Sequence, residues 1–388
     1  MKKIQYGRQD VSEADISAVI SVLRSDWLTQ GPVGKLFEKS VAAYCGAEFA
    51  VATNSATGAL HVACLALGVG RDDIVWTSAN TFVASSNCAL YCGASVDFVD
   101  IDPDTYNLSV ECLSEKLVSA EKLGKLPKVV IPVHLNGQSC DMAEISALSK
   151  KYGFKIIEDA SHAIGGKYKN ERVGNGRYSD ITVFSFHPVK IITTGEGGMA
   201  VTNSENLARR LTLFRSHGIT SSESEMDIRP SNEIWNYQQI ELGFNYRMTD
   251  IQAALGLSQI ERLDEFVARR HAIAKRYDKE LGSLPLLTPF QSPDTYSAYH
   301  LYPIRLLPKK TLLSQREVYE KMQSFGINVN LHYIPVYRQP YYERLGFKKG
   351  YCPEAEKYHE DVLSIPMYPS LEDIEQTKVI QIIQEIIG

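Results

Sequence analysis

No stretch of this chain is apolar for long enough to cross a bilayer. The run at 57–70 comes nearest, but it holds His61 and falls short of the about 20 residues that a span needs. Lys2 and Lys3 have no apolar run behind them, so no secretory signal is expected and a cytoplasmic location is. A basic field is lacking too. Against 46 acidic residues stand 41 Lys and Arg, a net charge of −5, which gives nucleic acid or an anionic membrane no general attraction. Any anion must therefore be held by local geometry. The seven cysteines (45, 64, 88, 92, 112, 140 and 352) are scattered and mostly sit inside apolar stretches, which reads as reduced core thiols. Cys88 and Cys92 share a helix face, yet no second Cys/His pair completes a metal set, so no metal is expected. Also missing is a Gly-x-x-x-x-Gly-Lys-Ser/Thr loop, and Gly174-Asn175-Gly176 does not stand between a strand and a helix in dinucleotide fashion. Without a Gly-x-Ser-x-Gly elbow, the common serine hydrolase reading drops out as well.

What is present is an alternation. Short β-rich runs at Phe49–Thr53, Ile74–Thr77, Ser95–Asp100, Val129–His134, Lys155–Asp159, Thr182–Phe186 and Met199–Thr202 are separated by segments such as 57–69, 81–92, 109–123 and 141–152. In those segments apolar residues recur three and four apart, the period of a helix. Strands that are apolar almost throughout and divided by helices predict an α/β fold with a mainly parallel central sheet, covered on both faces. Ligands of such sheets sit beyond the carboxyl ends of the strands. The polar stretch 219–241, with Pro230, Trp235 and Tyr237, reads as a long loop or hairpin. A helical pattern follows from Thr249 to about Leu281, and helix, strand and helix signals then run through 313–386, punctuated by Pro303, Pro308, Pro335, Pro340, Pro353, Pro366 and Pro369. A large domain over 1–260 and a smaller α+β domain over 261–388 are the expected division.

The strongest local signal is Ser185-Phe186-His187-Pro188-Val189-Lys190, followed by the small residues Thr193-Thr194-Gly195-Glu196-Gly197-Gly198. A lysine at the end of an apolar strand needs a partner. Condensation of its amine with a carbonyl cofactor would give it one, and a chemical role besides; a lone loop lysine is otherwise more often exposed and idle. The strand before it ends Glu158-Asp159-Ala160-Ser161-His162. A pyridinium ring is an electron sink only while its nitrogen is protonated, and Asp159 could hold that proton, although Asp is equally favoured as a helix N-cap. His162 would then lie near the ring, against the alternative of a packing histidine. Asn54-Ser55-Ala56-Thr57-Gly58 turns from a strand end into a helix, where free N–H groups and the helix dipole favour an anion such as phosphate; plain capping explains the same residues. Phe82, at the start of the next helical segment, could stack on a planar ring or simply fill core.

Seven separated motifs, in order, resemble the DegT/DnrJ/EryC1/StrS family of nucleotide-sugar aminotransferases: Trp27–Pro32, Asn54–Leu60, Glu158–His162, Ser185–Lys190, Arg215–Gly218, Gly243–Met248 and His332–Pro335. The resemblance implies the fold type I, aspartate-aminotransferase-like architecture, pyridoxal 5'-phosphate as cofactor, and a homodimer with shared active sites. It implies that Lys190 carries the cofactor and moves the proton, that Asp159 pairs with the pyridine nitrogen and that Phe82 stacks on the ring. Ala56, Thr57 and Ser185 would hold the phosphate together with Asn245 of the partner subunit. His162 stands where many relatives carry Gln. Members that dehydrate carry His at the lysine position, and Lys190 argues against that branch. Thr29, Gln30 and Gly31, with His332 and Tyr333, are candidate substrate contacts. Within the family, the motifs at 29–31, 185–194 and 215–218 look most like the branch of the pseudaminic acid pathway. That branch moves the amino group of L-glutamate to C4 of a UDP-linked 4-keto-6-deoxy-2-acetamido-L-sugar. A D-configured nucleotide 4-keto sugar is the alternative substrate, and a non-catalytic regulator of the same fold is a further alternative.

Overall fold

The computed structural model describes residues 3–227, 233–307, 311 and 313–388. Pro230 and Pro308 lie outside the described residues. In chain order the first half holds α1 (Glu13–Leu23), α2 (Pro32–Cys45), β1 (Phe49–Thr53), α3 (Ala56–Ala66), β2 (Ile74–Ser78), α4 (Ala84–Tyr91), β3 (Ser95–Val99), α5 (Val110–Lys122), β4 (Val129–Ile131), α6 (Met142–Tyr152) and β5 (Lys155–Asp159). A two-residue hairpin, β6 (Lys167–Tyr168) and β7 (Glu171–Arg172), precedes β8 (Ile181–Ser185), β9 (Gly198–Thr202) and α7 (Glu205–Arg215).

Seven of these strands form one sheet in the order β1-β9-β8-β5-β4-β2-β3. Only β9 runs antiparallel to its neighbours, and the remaining pairs are parallel. The pleat sends alternate residues to opposite faces. Val75, Val129, Ile131, Ile157, Ile181 and Val183 pack on one face with α3 and α4, while Trp76, Val130 and Ile156 meet α5 and α6 on the other. At full burial, residues of this kind each contribute about 1.5–3 kcal/mol. Because both faces are covered, β4, β8 and β9 are buried at every position, which is why the sequence shows them as unbroken apolar runs.

Two helix starts shape the edge at which the parallel strands end. Ser55 caps α3, its hydroxyl accepting from Gly58 N at 3.1 Å. The start of β9 lies against this cap so closely that a Cβ on Gly198 would stand 2.5 Å from Ala56 N. Only glycine permits that approach. The segment 81–92 predicts a helix from its first residue, whereas α4 begins at Ala84 and Thr81–Val83 form the turn before it.

In the second half, β10 (Ile219–Thr220) and β11 (Gln238–Gln239) pair antiparallel and close the 219–241 excursion as a hairpin. The helical pattern from Thr249 divides into α8 (Asp250–Gln259) and α9 (Leu263–Leu281), joined by a tight turn at 260–262. Thereafter come β12 (Leu286–Leu287), β13 (Thr295–Tyr296), β14 (Tyr302–Leu306), α10 (Gln315–Ser324), α11 (Pro340–Arg344), α12 (Pro353–Asp361), β15 (Val362–Ile365) and α13 (Asp373–Ile387). The sheet β12-β14-β15 is antiparallel, and its core takes in α9, α10 and α13. Ile4 joins that same core, and Met367 N donates to Tyr6 O at 2.9 Å, so the first described residues run alongside the last part of the chain. Among the described residues no helix is long and apolar enough to cross a membrane.

Candidate active site

At the carboxyl ends of β1, β5 and β8 lies a cavity of about 650 Å³. Lys190, Asp159, His162, Thr57, Ser185 and Phe82 line it, along with Ala56, His332 and Tyr333. The parallel strands deliver Asp159 and Ser185 to one edge of the sheet, and α3 brings its first turn to the same edge.

Lys190 sits on the loop between β8 and β9. Phe186 N bonds to Gly197 O at 2.9 Å, Thr194 N to Phe186 O at 3.0 Å and Lys190 N to His187 O at 2.9 Å, so this loop is held at both ends. Burial pushes the Lys190 amine down to about 8, against the Asp159 carboxylate, which favours the cation. Its Nζ is 3.4 Å from His300 Nε2.

Asp159 is 4 % exposed, and both its oxygens have donors: Ser85 Oγ at 2.6 Å and Ser161 N at 3.1 Å. The pleat turns its neighbour Glu158 to the far side of the sheet. There the Glu158 carboxylate accepts from His134 Nε2, from Ser179 Oγ and from Thr182 Oγ1. Of the two adjacent carboxylates, one faces the cavity and the other belongs to the framework.

His162 is buried, with Nε2 3.2 Å from Tyr333 OH, its ring 4.3 Å from that of His300, and Nδ1 without a partner. Burial holds its pKa well below the ordinary histidine value, and so do the charges of Lys190 and His332. It is neutral and has one ring nitrogen to offer a ligand. Ser55, Ala56 and Thr57 present the start of α3, whose first-turn N–H groups have no partners within the helix. Phe82 is 57 % exposed, so it faces the cavity instead of filling core, with its ring 6.2 Å from Tyr333. Tyr333 N donates to Asn80 Oδ1 at 2.9 Å, and His332 Nδ1 lies 2.9 Å from Ser364 Oγ.

Four sequence candidates are not brought to this cavity. Thr29, Gln30 and Gly31 lead into α2: Thr29 pairs with Thr249, and a Cβ on Gly31 would run into Asp250 and Trp27. Asn245 is exposed and bridges to Ser216. Conversely, Tyr6, Asn330 and His300 line the cavity and Ser85 supports it, yet no sequence motif points to them. Their one visible signal is weak: His300 falls just before the apolar run of β14, and Ser85 is one small residue among several.

The chain matches the DegT/DnrJ/EryC1/StrS aminotransferase family over residues 9–384. It belongs to that family. At 38% identity over 370 residues, 95% of this chain and 93% of its relative, it is similar to the UDP-4-amino-4,6-dideoxy-N-acetyl-beta-L-altrosamine transaminase of Campylobacter jejuni. Among solved structures it is similar to Helicobacter pylori PseC, an aminotransferase involved in the biosynthesis of pseudoaminic acid. The TM-score is 0.89 at 29% identity, covering 100% of this chain and 99% of that one. It is also similar to Spr1654 of Streptococcus pneumoniae in a PLP form, with a TM-score of 0.88, 28% identity and 100% of both chains covered. The mainly parallel sheet of this aminotransferase is therefore that of the fold type I transferases.

Proposed function

We propose that the chain is a pyridoxal-phosphate-dependent sugar aminotransferase. It moves the amino group of L-glutamate to C4 of UDP-2-acetamido-2,6-dideoxy-β-L-arabino-hexos-4-ulose, in pseudaminic acid biosynthesis. The observation that carries the chemistry is the juxtaposition of the Lys190 amine and the Asp159 carboxylate in one cavity with the open first turn of α3. The sugar rests on the likeness to the Campylobacter relative and to PseC.

The residues present fit this cofactor. The partnerless Nδ1 of buried His162, the cradle made by Gly198 against the α3 cap, and an amine depressed to about 8 would supply a ring contact, a phosphate cup and an attachment point. Asp159 would hold the proton of the ring nitrogen, Phe82 would cover a ring face, and Ala56, Thr57 and Ser185 would hold the phosphate. When bound, the cofactor supplies an electron sink for the charge left as a proton leaves the carbon bearing nitrogen. Lys190 Nζ takes and returns that proton, and an amine near neutrality suits the task. His332 and Tyr333 would meet the sugar.

The protein would act as a homodimer with shared active sites. Asn245, exposed on its own chain, would reach the phosphate held by the neighbouring subunit, and Thr29–Gly31 would approach the cavity across the same boundary. Exposed Trp27, Leu28 and Leu36 give that boundary apolar area to bury. The deciding measurement is kcat/KM for the L-arabino 4-keto sugar against its D-xylo epimer, with the same UDP carrier and glutamate as donor. Preference for the L-arabino compound supports the assignment. Preference for the D-xylo compound overturns the sugar and leaves the aminotransferase, while absence of glutamate-dependent conversion of any keto sugar in a UDP and dTDP panel overturns the activity.

A further inference from the structure

Among the described residues, Arg270, on α9, has the largest side chain buried to under 2 % exposure. It forms no ion pair among the described residues. Its Nη1 instead donates to three backbone carbonyls, those of Tyr299 at 3.0 Å, His300 at 3.2 Å and Met367 at 3.0 Å, while Nε and Nη2 have no partner. A buried cation spent on carbonyls fixes the chain that bears them. That chain carries His300, whose Nε2 is 3.4 Å from Lys190 Nζ and whose Nδ1 is buried with no partner.

Building on the aminotransferase reading of this cavity, we propose that His300 is the positioning residue of Lys190. Its Nε2–H donates to the lone pair of the Lys190 amine and so favours the uncharged, nucleophilic form, while Arg270 locks the backbone of His300 in register. The choice of tautomer decides the direction of the bond. A neutral imidazole carries one N–H. Were it on Nδ1, that donor would be buried without an acceptor, a rarer state in folded proteins than a buried acceptor without a donor. On Nε2 it points at Lys190, which accepts only when it has lost its proton. The tautomer of His300 and the charge of Lys190 are therefore linked.

The groups facing Lys190 fit this account. Asp159 alone favours the ammonium. His162, His187, His300 and His332 all have pKa values held below the ordinary value, with burial the largest cause, so none carries a positive charge that would itself drive the proton from Lys190. For His300 the charge of Arg270 adds to burial in the same direction, as would any charge on Lys190, His162 or His332.

The test uses cofactor-free protein, so it does not depend on what the enzyme turns over. Long-range proton–nitrogen correlation on protein labelled with 15N-histidine, with His300 assigned by its loss in His300→Gln, should show a neutral ring protonated on Nε2 between pH 6 and 8. A ring protonated on Nδ1, or an imidazolium, overturns the proposal. Alongside it, the midpoint of Lys190 is read from pH-dependent acylation and peptide mass spectrometry. His300→Leu should raise that midpoint by about one pH unit, and His300→Gln, which keeps a donor, by less than about half a unit. An unchanged or lowered midpoint in His300→Leu overturns it. Failure of the cofactor reading is a separate outcome, seen as no Lys190 adduct after borohydride reduction of the holoenzyme.

Discussion

Ser85 Oγ donates to Asp159 Oδ2 at 2.6 Å, and Thr81 Oγ1 lies 2.7 Å from the same Ser85 oxygen. The start of α4 thus holds the end of β5, and the carboxylate proposed to meet the ring nitrogen is fixed by a residue far earlier in the chain. Removing the hydroxyl leaves a buried carboxylate oxygen short of a donor, at about 1–3 kcal/mol. Ser85→Ala should weaken cofactor binding by about 5- to 150-fold on that scale, with less effect on KM for the sugar. Titration of cofactor-free protein by absorbance checks it, and unchanged affinity would show that Asp159 needs no such support.

Lys190 should be the only lysine trapped when the holoenzyme is reduced with borohydride and mapped by peptide mass. An adduct elsewhere would remove the central assignment. Lys190→Ala should still bind the cofactor through the α3 cup, yet lose about 10²- to 10⁴-fold or more in turnover with the acid–base amine gone.

The strands of the central sheet were readable because they are buried on both faces, and β1 and β5 have the bounds that their apolar runs predict. Lys190, Asp159 and the α3 turn were readable for a related reason: each stands where an apolar run stops and polar residues begin. His300, Tyr6 and Ser85 were not, because what brings them to the cavity is tertiary. Tyr6 arrives through contacts of the first residues with the last part of the chain, His300 through the three carbonyls held by Arg270. The break of the long helical pattern at 260–262 was hidden by apolar spacing that continues through it. The proposed boundary at 260/261 falls in that turn, while Ile4 packs with the C-terminal core.

If Asn245 serves the neighbouring subunit's cofactor, two inactive proteins should complement each other. Mixing Lys190→Ala with a severely impaired Asn245 variant yields mixed dimers in which one site has both groups, so activity should recover toward a quarter of wild type at random exchange. Subunit exchange is verified separately by mass tags. Exchange without recovery would place Asn245 outside the shared site.

Glu158 offers a test of the framework apart from catalysis. Its carboxylate accepts from His134, Ser179 and Thr182, and Cys140 N donates to His134 Nδ1 at 3.1 Å, which leaves the His134 proton on Nε2, facing Glu158. Burial works against the carboxylate, but these hydrogen bonds and the electrostatic attraction of His134 outweigh it and hold the Glu158 pKa below its ordinary 4.5. A carboxyl whose folded pKa is depressed contributes stability that is fully present above the unfolded value and is lost as pH falls through the folded one. Glu158→Gln keeps the shape but turns an amide N–H₂ toward donors, so about 2–4 kcal/mol should be lost at pH 7. Urea denaturation of both proteins from pH 7 down to pH 3 should show the gap narrowing below about pH 4.5, because only the wild type has a charge to lose there. A gap that stays constant with pH would mean that Glu158 titrates alike in the folded and unfolded chain, and a wild type that gains on the variant as pH falls from 7 would mean that Glu158 is already protonated in the fold.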